Sequence, residues 1–259
     1  MNIRTILAAS AVVLIGSVAA QAAEVAALSG DNTVSIVDTS KKAVTKTWKI
    51  DGVAGKVLGI DVRPADNMLY AVGADGGIYT VDLKTGKATM KSKLEKNVDA
   101  KSMVTVDFNP VADRLRLMSN DGTSLRVNVD DGKVTTDGSH KFAETDMHKG
   151  EKPNIIAGAY SNSVKGTKET ALYNIDGTIG ALLKQAPPND GILNAIGKLG
   201  VKATTVAFDI WSDGNGKNEA WLIAGDWLHS VDLATGKATP SVQIKGVSGV
   251  RDIAILPTM

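Results

Sequence analysis

One order of hydrophobic and polar positions recurs along this chain. An apolar strand, often ending in Asp-x-x-Pro, is followed by a polar turn, an alternating strand, a second turn, a third strand and a Thr-Gly-Lys hairpin into a polar strand. The clearest copy is LGIDVRPADNMLYAVGADGGIYTVDLKTGKATMKSKL, residues 58–94. Its turns fall at Ala65-Asp66-Asn67, Asp75-Gly76-Gly77 and Lys84-Thr85-Gly86, where Asp, Asn and Gly supply the local hydrogen bonds and positive φ that tight hairpins require. The pattern predicts four short antiparallel strands per copy.

Further copies occupy residues 104–138, 155–187 and 206–244. The segment SVDLATGKAT, residues 230–239, nearly repeats TVDLKTGKAT, residues 80–89, which points to internal duplication. A fifth copy is split: GVRDIAILP, residues 249–257, matches only a first strand, while residues 24–50 match only the later strands. Joined, the two ends complete one unit.

Four-stranded repeats of about 40–50 residues define an all-β fold, the β-propeller. Five blades are expected, with first strands starting near residues 58, 104, 155, 205 and 249 and the ring closed by pairing the terminal segments. A sixth blade would need a unit within residues 139–154 or 189–202, and both segments are too short. A two-sheet sandwich would leave the split repeat unexplained.

The start of the chain departs from this pattern. Arg4 precedes an uncharged apolar run to about Ala20 and the small-residue site Ala20-Gln21-Ala22, the order of a cleavable secretory signal. Residues 1–22 are therefore expected to be a signal peptide cut near Ala22, leaving residues 23–259 as a single propeller domain, periplasmic or secreted, with no transmembrane anchor in the mature chain. With no Cys in the sequence, no disulfide supports the fold and no lipid-anchored cysteine is available. Lys+Arg (29) and Asp+Glu (28) are balanced, which argues against nucleic acid as a partner.

Candidate chemistry gathers on the first strands, which line a propeller's channel. Equivalent positions hold Asp61, Asp107, Ala159, Asp209 and Ala254. The three acids have two readings. They accept backbone N–H groups of the next blade, or they bind a ligand or a cation such as Ca²⁺ or act as an acid/base pair. Some five-bladed propellers are glycoside hydrolases with acids on inner strands, but here no Glu lies on one, and Phe, Tyr and Trp number 3, 4 and 4, few for stacking sugars. Trp211, Trp221 and Trp227 fall in one repeat, as a platform or as filling between blades.

Folding the copy at residues 104–138 brings Arg116 close to Arg126, and like charges across a strand pair need an answering group. An inner-strand Asp or Asp113 can serve, or a bound carboxylate or phosphate; Arg63 can join either arrangement. His140, His148 and His229 are scattered, so a His/Cys metal site is not expected. The Gly-Lys pairs at Gly86 and Gly236 belong to hairpins rather than phosphate loops.

The segments GIDVRPADNMLYAVG, VDFNPVADRLRLMSNDGTSLRVN, AYSNSVKGTKETALYNID and APPNDGILNAIGKLGV, in this order, resemble a bacterial exported family known as domain of unknown function 4394. That resemblance runs over roughly residues 25–257 and implies no reaction, ligand or catalytic residue. Within the last segment, two prolines fix φ and Asn189-Asp190-Gly191 turns the chain, a corner that also offers Asn189 and Asp190 as a contact surface. The expected function is a non-enzymatic module binding a small ligand or an envelope protein. The alternative is a hydrolase using Asp61, Asp107 and Asp209, with Ca²⁺ as its possible cofactor.

Overall fold

A computed structural model describes residues 23–202 and 205–257. The expected secretory signal, residues 1–22, lies outside the described residues. Five antiparallel sheets form a five-bladed propeller. From the axis outward, the first blade comprises Val250–Ile255, Glu24–Ser29, Thr33–Asp38 and Ala43–Lys49. The second comprises Val57–Arg63, Met68–Gly73, Gly77–Val81 and Ala88–Lys93, and the third Val104–Asn109, Arg114–Ser119, Ser124–Val127 and Val134–Thr136. The fourth comprises Ile155–Tyr160, Leu172–Asp176, Ala181–Gln185 and Ile192–Lys198, and the fifth Val206–Ser212, Asn218–Ala224, Trp227–Val231 and Ala238–Gln243. Each inner strand begins within one residue of the start expected from the repeat.

Ring closure follows the split repeat. Val25, Ala26 and Ala27 pair with Ile255, Ala254 and Ile253, so the two ends of the described chain share one sheet. The fourth blade departs from the four-strand expectation, because Lys141–Phe142 adds a parallel fifth strand beside Ile192 and Leu193. Phe142 then covers Ile155, Ala181, Leu183 and Leu193.

Burial explains the sequence pattern. An inner strand is covered on both faces by neighbouring blades, and Val57–Arg63 is buried at every position. An outer strand such as Ala88–Lys93 is mostly exposed and carries polar residues. Apolar clusters fill four of the blade interfaces, first to second, second to third, fourth to fifth and fifth to first. Each fully buried Leu, Ile, Val or Phe in them contributes about 1.5–3 kcal/mol relative to exposure.

The Thr-Gly-Lys hairpins also join blades. Asp82 Oδ1 accepts the N–H groups of Lys84 and Thr85, and Asp232 repeats the turn with Ala234 and Thr235. Gly86 has φ +77°, and a Cβ there would lie 2.6 Å from the Lys49 carbonyl of the preceding blade. The same turn exchanges backbone bonds with Asp51, so glycine provides both the left-handed turn and the close approach. Among the described residues no helix is long and apolar enough to cross a membrane.

Candidate functional site

Inner strands bring Asp61, Asp107 and Asp209 together around the axis. One carboxylate oxygen from each lies within 4.8 Å of the other two, and all three side chains are buried. A fourth acid, Asp252, is also buried in this group. It precedes the aligned Ala254 by two residues, and the period of two along a strand keeps it on the same face.

The hydrogen bonds obey one rule around the ring. Asp61 Oδ2 accepts the Phe108 N–H of the third blade at 2.6 Å, and Asp107 Oδ1 accepts the Tyr160 N–H of the fourth at 2.9 Å. Asp209 Oδ2 accepts the Ile255 N–H of the first blade at 2.7 Å, and Asp252 Oδ2 accepts the Ile60 N–H of the second at 2.8 Å. Each acid therefore bridges to the inner strand of the following blade. Gly59 makes room for the last bridge, since a Cβ there would sit 2.5 Å from Asp252 Oδ2.

The second oxygens distinguish Asp107. Asp61, Asp209 and Asp252 also accept the N–H of their own next residue, Val62, Ile210 and Ile253. At Asp107 that N–H belongs to Phe108 and is already donated to Asp61. Among the described residues no hydrogen bond reaches Asp107 Oδ2.

Burial pushes the pKa of all four acids upward, and mutual repulsion adds to it for three. Asp61 is raised well above the usual carboxylate range by desolvation and then by Asp209, and Asp107 by desolvation and then by Asp61 and Asp209. Asp252 is likewise raised well above that range, and Asp209 is pushed up to about 6 by desolvation. The backbone donors act in the opposite sense. Groups this close and this buried are eased by protonation or by a cation. A cavity of about 400 Å³ opens over Asp61 and Asp209 at this end of the axis, bordered by Pro64, Ser163, Trp211 and Pro257.

The three arginines singled out in the sequence, Arg63, Arg116 and Arg126, each have an acidic partner. Arg63 donates to both Asp113 oxygens, 2.8 Å from Nε and 2.6 Å from Nη2, and reaches Asp66, Asp130 and the Tyr70 hydroxyl. Arg116 and Arg126 face each other across paired strands as expected. The acid that answers them is Asp137, not Asp113 or an inner-strand Asp. Asp137 lies just beyond the outer strand, where its N–H bonds to Ser124 and its carboxylate meets both guanidinium groups.

Arg116 is fully buried and also donates to the Tyr160 hydroxyl, Ser124 and Asn189 Oδ1. The Pro-Pro-Asn-Asp-Gly corner is thus fastened to the third blade. It forms a single 3₁₀ turn, Pro188–Asp190, whose Pro188 carbonyl accepts from Gln185 and whose Asn189 carbonyl accepts from Gly138. Asp190 remains exposed. Trp221 and Trp211 pack between the fifth and first blades, and Trp227 is partly exposed.

These features define a five-bladed propeller whose channel is bridged by buried acids. The chain belongs to the family described as Domain of unknown function (DUF4394), whose pattern matches residues 33–254. None of the curated proteins matches it. Among solved structures it is similar to a structural-genomics protein of unknown function from Bacteroides thetaiotaomicron VPI-5482, with 16% identity and a TM-score of 0.53 over 92% of this chain and 65% of that one. It is also similar to a protein of unknown function from Bacteroides caccae, with 12% identity and a TM-score of 0.44 over 92% of this chain and all of that one.

Proposed function

We propose that this protein is an exported, non-enzymatic propeller that binds a small ligand or an envelope protein through one face of its ring. The supporting observation is that every channel acid already accepts a backbone N–H from the next blade. Residues so committed act as bridges of the scaffold, which leaves recognition to the ring faces. Export rests on the signal-like residues 1–22.

A second reading, a hydrolase using these acids with Ca²⁺, is favoured by the convergence of three carboxylates within 4.8 Å. Oxygen donors in that arrangement suit a hard divalent ion. Thermal unfolding of the mature chain with EDTA and then with Ca²⁺ decides between the two, because a ligand bound only by the native state raises its apparent stability. The binding-module reading predicts the same midpoint in both conditions. A saturable rise with Ca²⁺ would make the three-Asp channel a metal site, against the reading of these acids as bridges alone, and put hydrolase assays next.

A further inference from the structure

The opposite mouth of the channel has different chemistry. There a cavity of about 170 Å³ is floored by Leu58, Val104, Ile156 and Val206, buried residues near the starts of four inner strands. Its rim carries Lys56, Lys101 and Arg251, and among the described residues no acidic one lines it.

Arg251 is unlike Arg63, Arg116 and Arg126, each of which has a carboxylate partner. Among the described residues its guanidinium donates only to carbonyls, those of Gly30 at 2.8 Å, Val57 at 2.9 Å, Asp31 at 3.4 Å and Leu58 at 3.5 Å. Among the described residues neither it nor Lys56 nor Lys101 makes an ion pair. The nearest acids are engaged or outside the cavity: Asp252 accepts the Ile60 and Ile253 N–H groups, and the exposed Asp31 meets Arg251 through its backbone carbonyl. Burial disfavours the Arg251 charge. A half-buried cation held only by carbonyl dipoles, with two ammonium groups on the same rim, gains from an anion.

We infer that this mouth binds a small organic anion, with its charged group at Lys56, Lys101 and Arg251 and a short apolar body on the Leu58, Val104, Ile156 and Val206 floor. At about 30 Å³ per water-sized group, the cavity holds about six such groups. The inference deepens the binding-module reading by naming a face and a ligand class. It can fail alone, because an anion titration leaves the Ca²⁺ measurement untouched.

Pentanoate, n-pentanol and inorganic phosphate are the probes, titrated by calorimetry and by backbone amide NMR. Pentanoate is expected to bind saturably, with shifts centred on Lys101–Val104 and Val206. Pentanol, lacking the charge, should not bind, and phosphate, lacking the apolar body, should bind at least about tenfold more weakly. Lys56→Gln with Lys101→Gln should weaken pentanoate at least about tenfold while leaving the ligand-free melting midpoint in place. Absence of pentanoate binding at about 10 mM, equal binding of pentanol or phosphate, or unchanged affinity in the double variant would each overturn the assignment.

Discussion

The two sides of the fourth blade are held by opposite means. Toward the fifth blade, Ile156, Ala157, Ala159, Ile175 and Leu182 join Val206, Phe208, Ile210 and Leu222 in one apolar cluster. Toward the third blade, the apolar contact shrinks to Met118, Tyr160 and Leu172. Arg116 there connects Asp137, Ser124, Tyr160 and Asn189, and Asp107 holds the Tyr160 N–H. The acid bridge is present on the polar side and missing on the apolar one, where Ala159 occupies the equivalent position. Directional bonds to fixed donors secure the interface that has less apolar area, and apolar packing with a few loop bonds at its edge secures the other.

The largest expected effect falls on the polar side. Arg116→Met removes one partner of a buried pair and leaves Asp137 with only the more exposed Arg126, so unfolding free energy should drop by about 3–5 kcal/mol in denaturant titrations. Replacing both partners, Arg116→Met with Asp137→Leu, should recover most of that loss, because no buried charge is then abandoned. A double variant as unstable as the single one would show that Arg116 acts through Tyr160 and Asn189 instead. On the apolar side, Leu222→Ala should cost about 2–5 kcal/mol through lost burial and the cavity left behind. Insensitivity there would shift the weight of the interface to the loop bonds between Asn162 and Asn218 and between Ser163 and Ser212.

Among the channel acids, Asp61→Asn is the next step down. Both Asp61 oxygens accept N–H groups, and an amide NH₂ in place of one of them faces a donor, so the change should cost about 1–3 kcal/mol. Equal stability to the wild type would mean that the bridge to Phe108 contributes nothing.

Much of this was legible in the residues. The repeat pattern reached the blade count, the ring closure and the inner-strand starts, because turn chemistry and strand alternation are local signals. Asp61, Asp107 and Asp209 could be placed on the axis for the same reason. Asp252 was missed because the last copy was aligned on Ala254; testing positions two residues away would have found it. Asp137 was missed for a different cause. It follows an outer strand and meets Arg116 only through the sheet register, whereas Asp113 stands closer in sequence and belongs to Arg63 of another blade. The carbonyl-bound Arg251 had no sequence signal, since its neighbours come from turns far away in the chain.

The smallest change gives the most direct test of the claim that the channel acids are scaffold bridges. Asp107→Asn keeps Oδ1 to accept the Tyr160 N–H, and the new NH₂ replaces an oxygen that takes no hydrogen bond. Because the folded pKa of Asp107 lies above its unfolded value of about 4, the wild type is favoured below that pH and loses stability as pH rises through the folded value. The variant has no such loss, so its advantage over the wild type should grow from acid to alkaline pH. Metal-free unfolding of both proteins at pH 4 and pH 8 is therefore the decisive measurement. The account predicts a variant at least as stable as the wild type at pH 8, ahead by about 1 kcal/mol or roughly 2–4 °C, with the gap closing at pH 4. A variant that is less stable at pH 8, or a gap that does not change with pH, would contradict it.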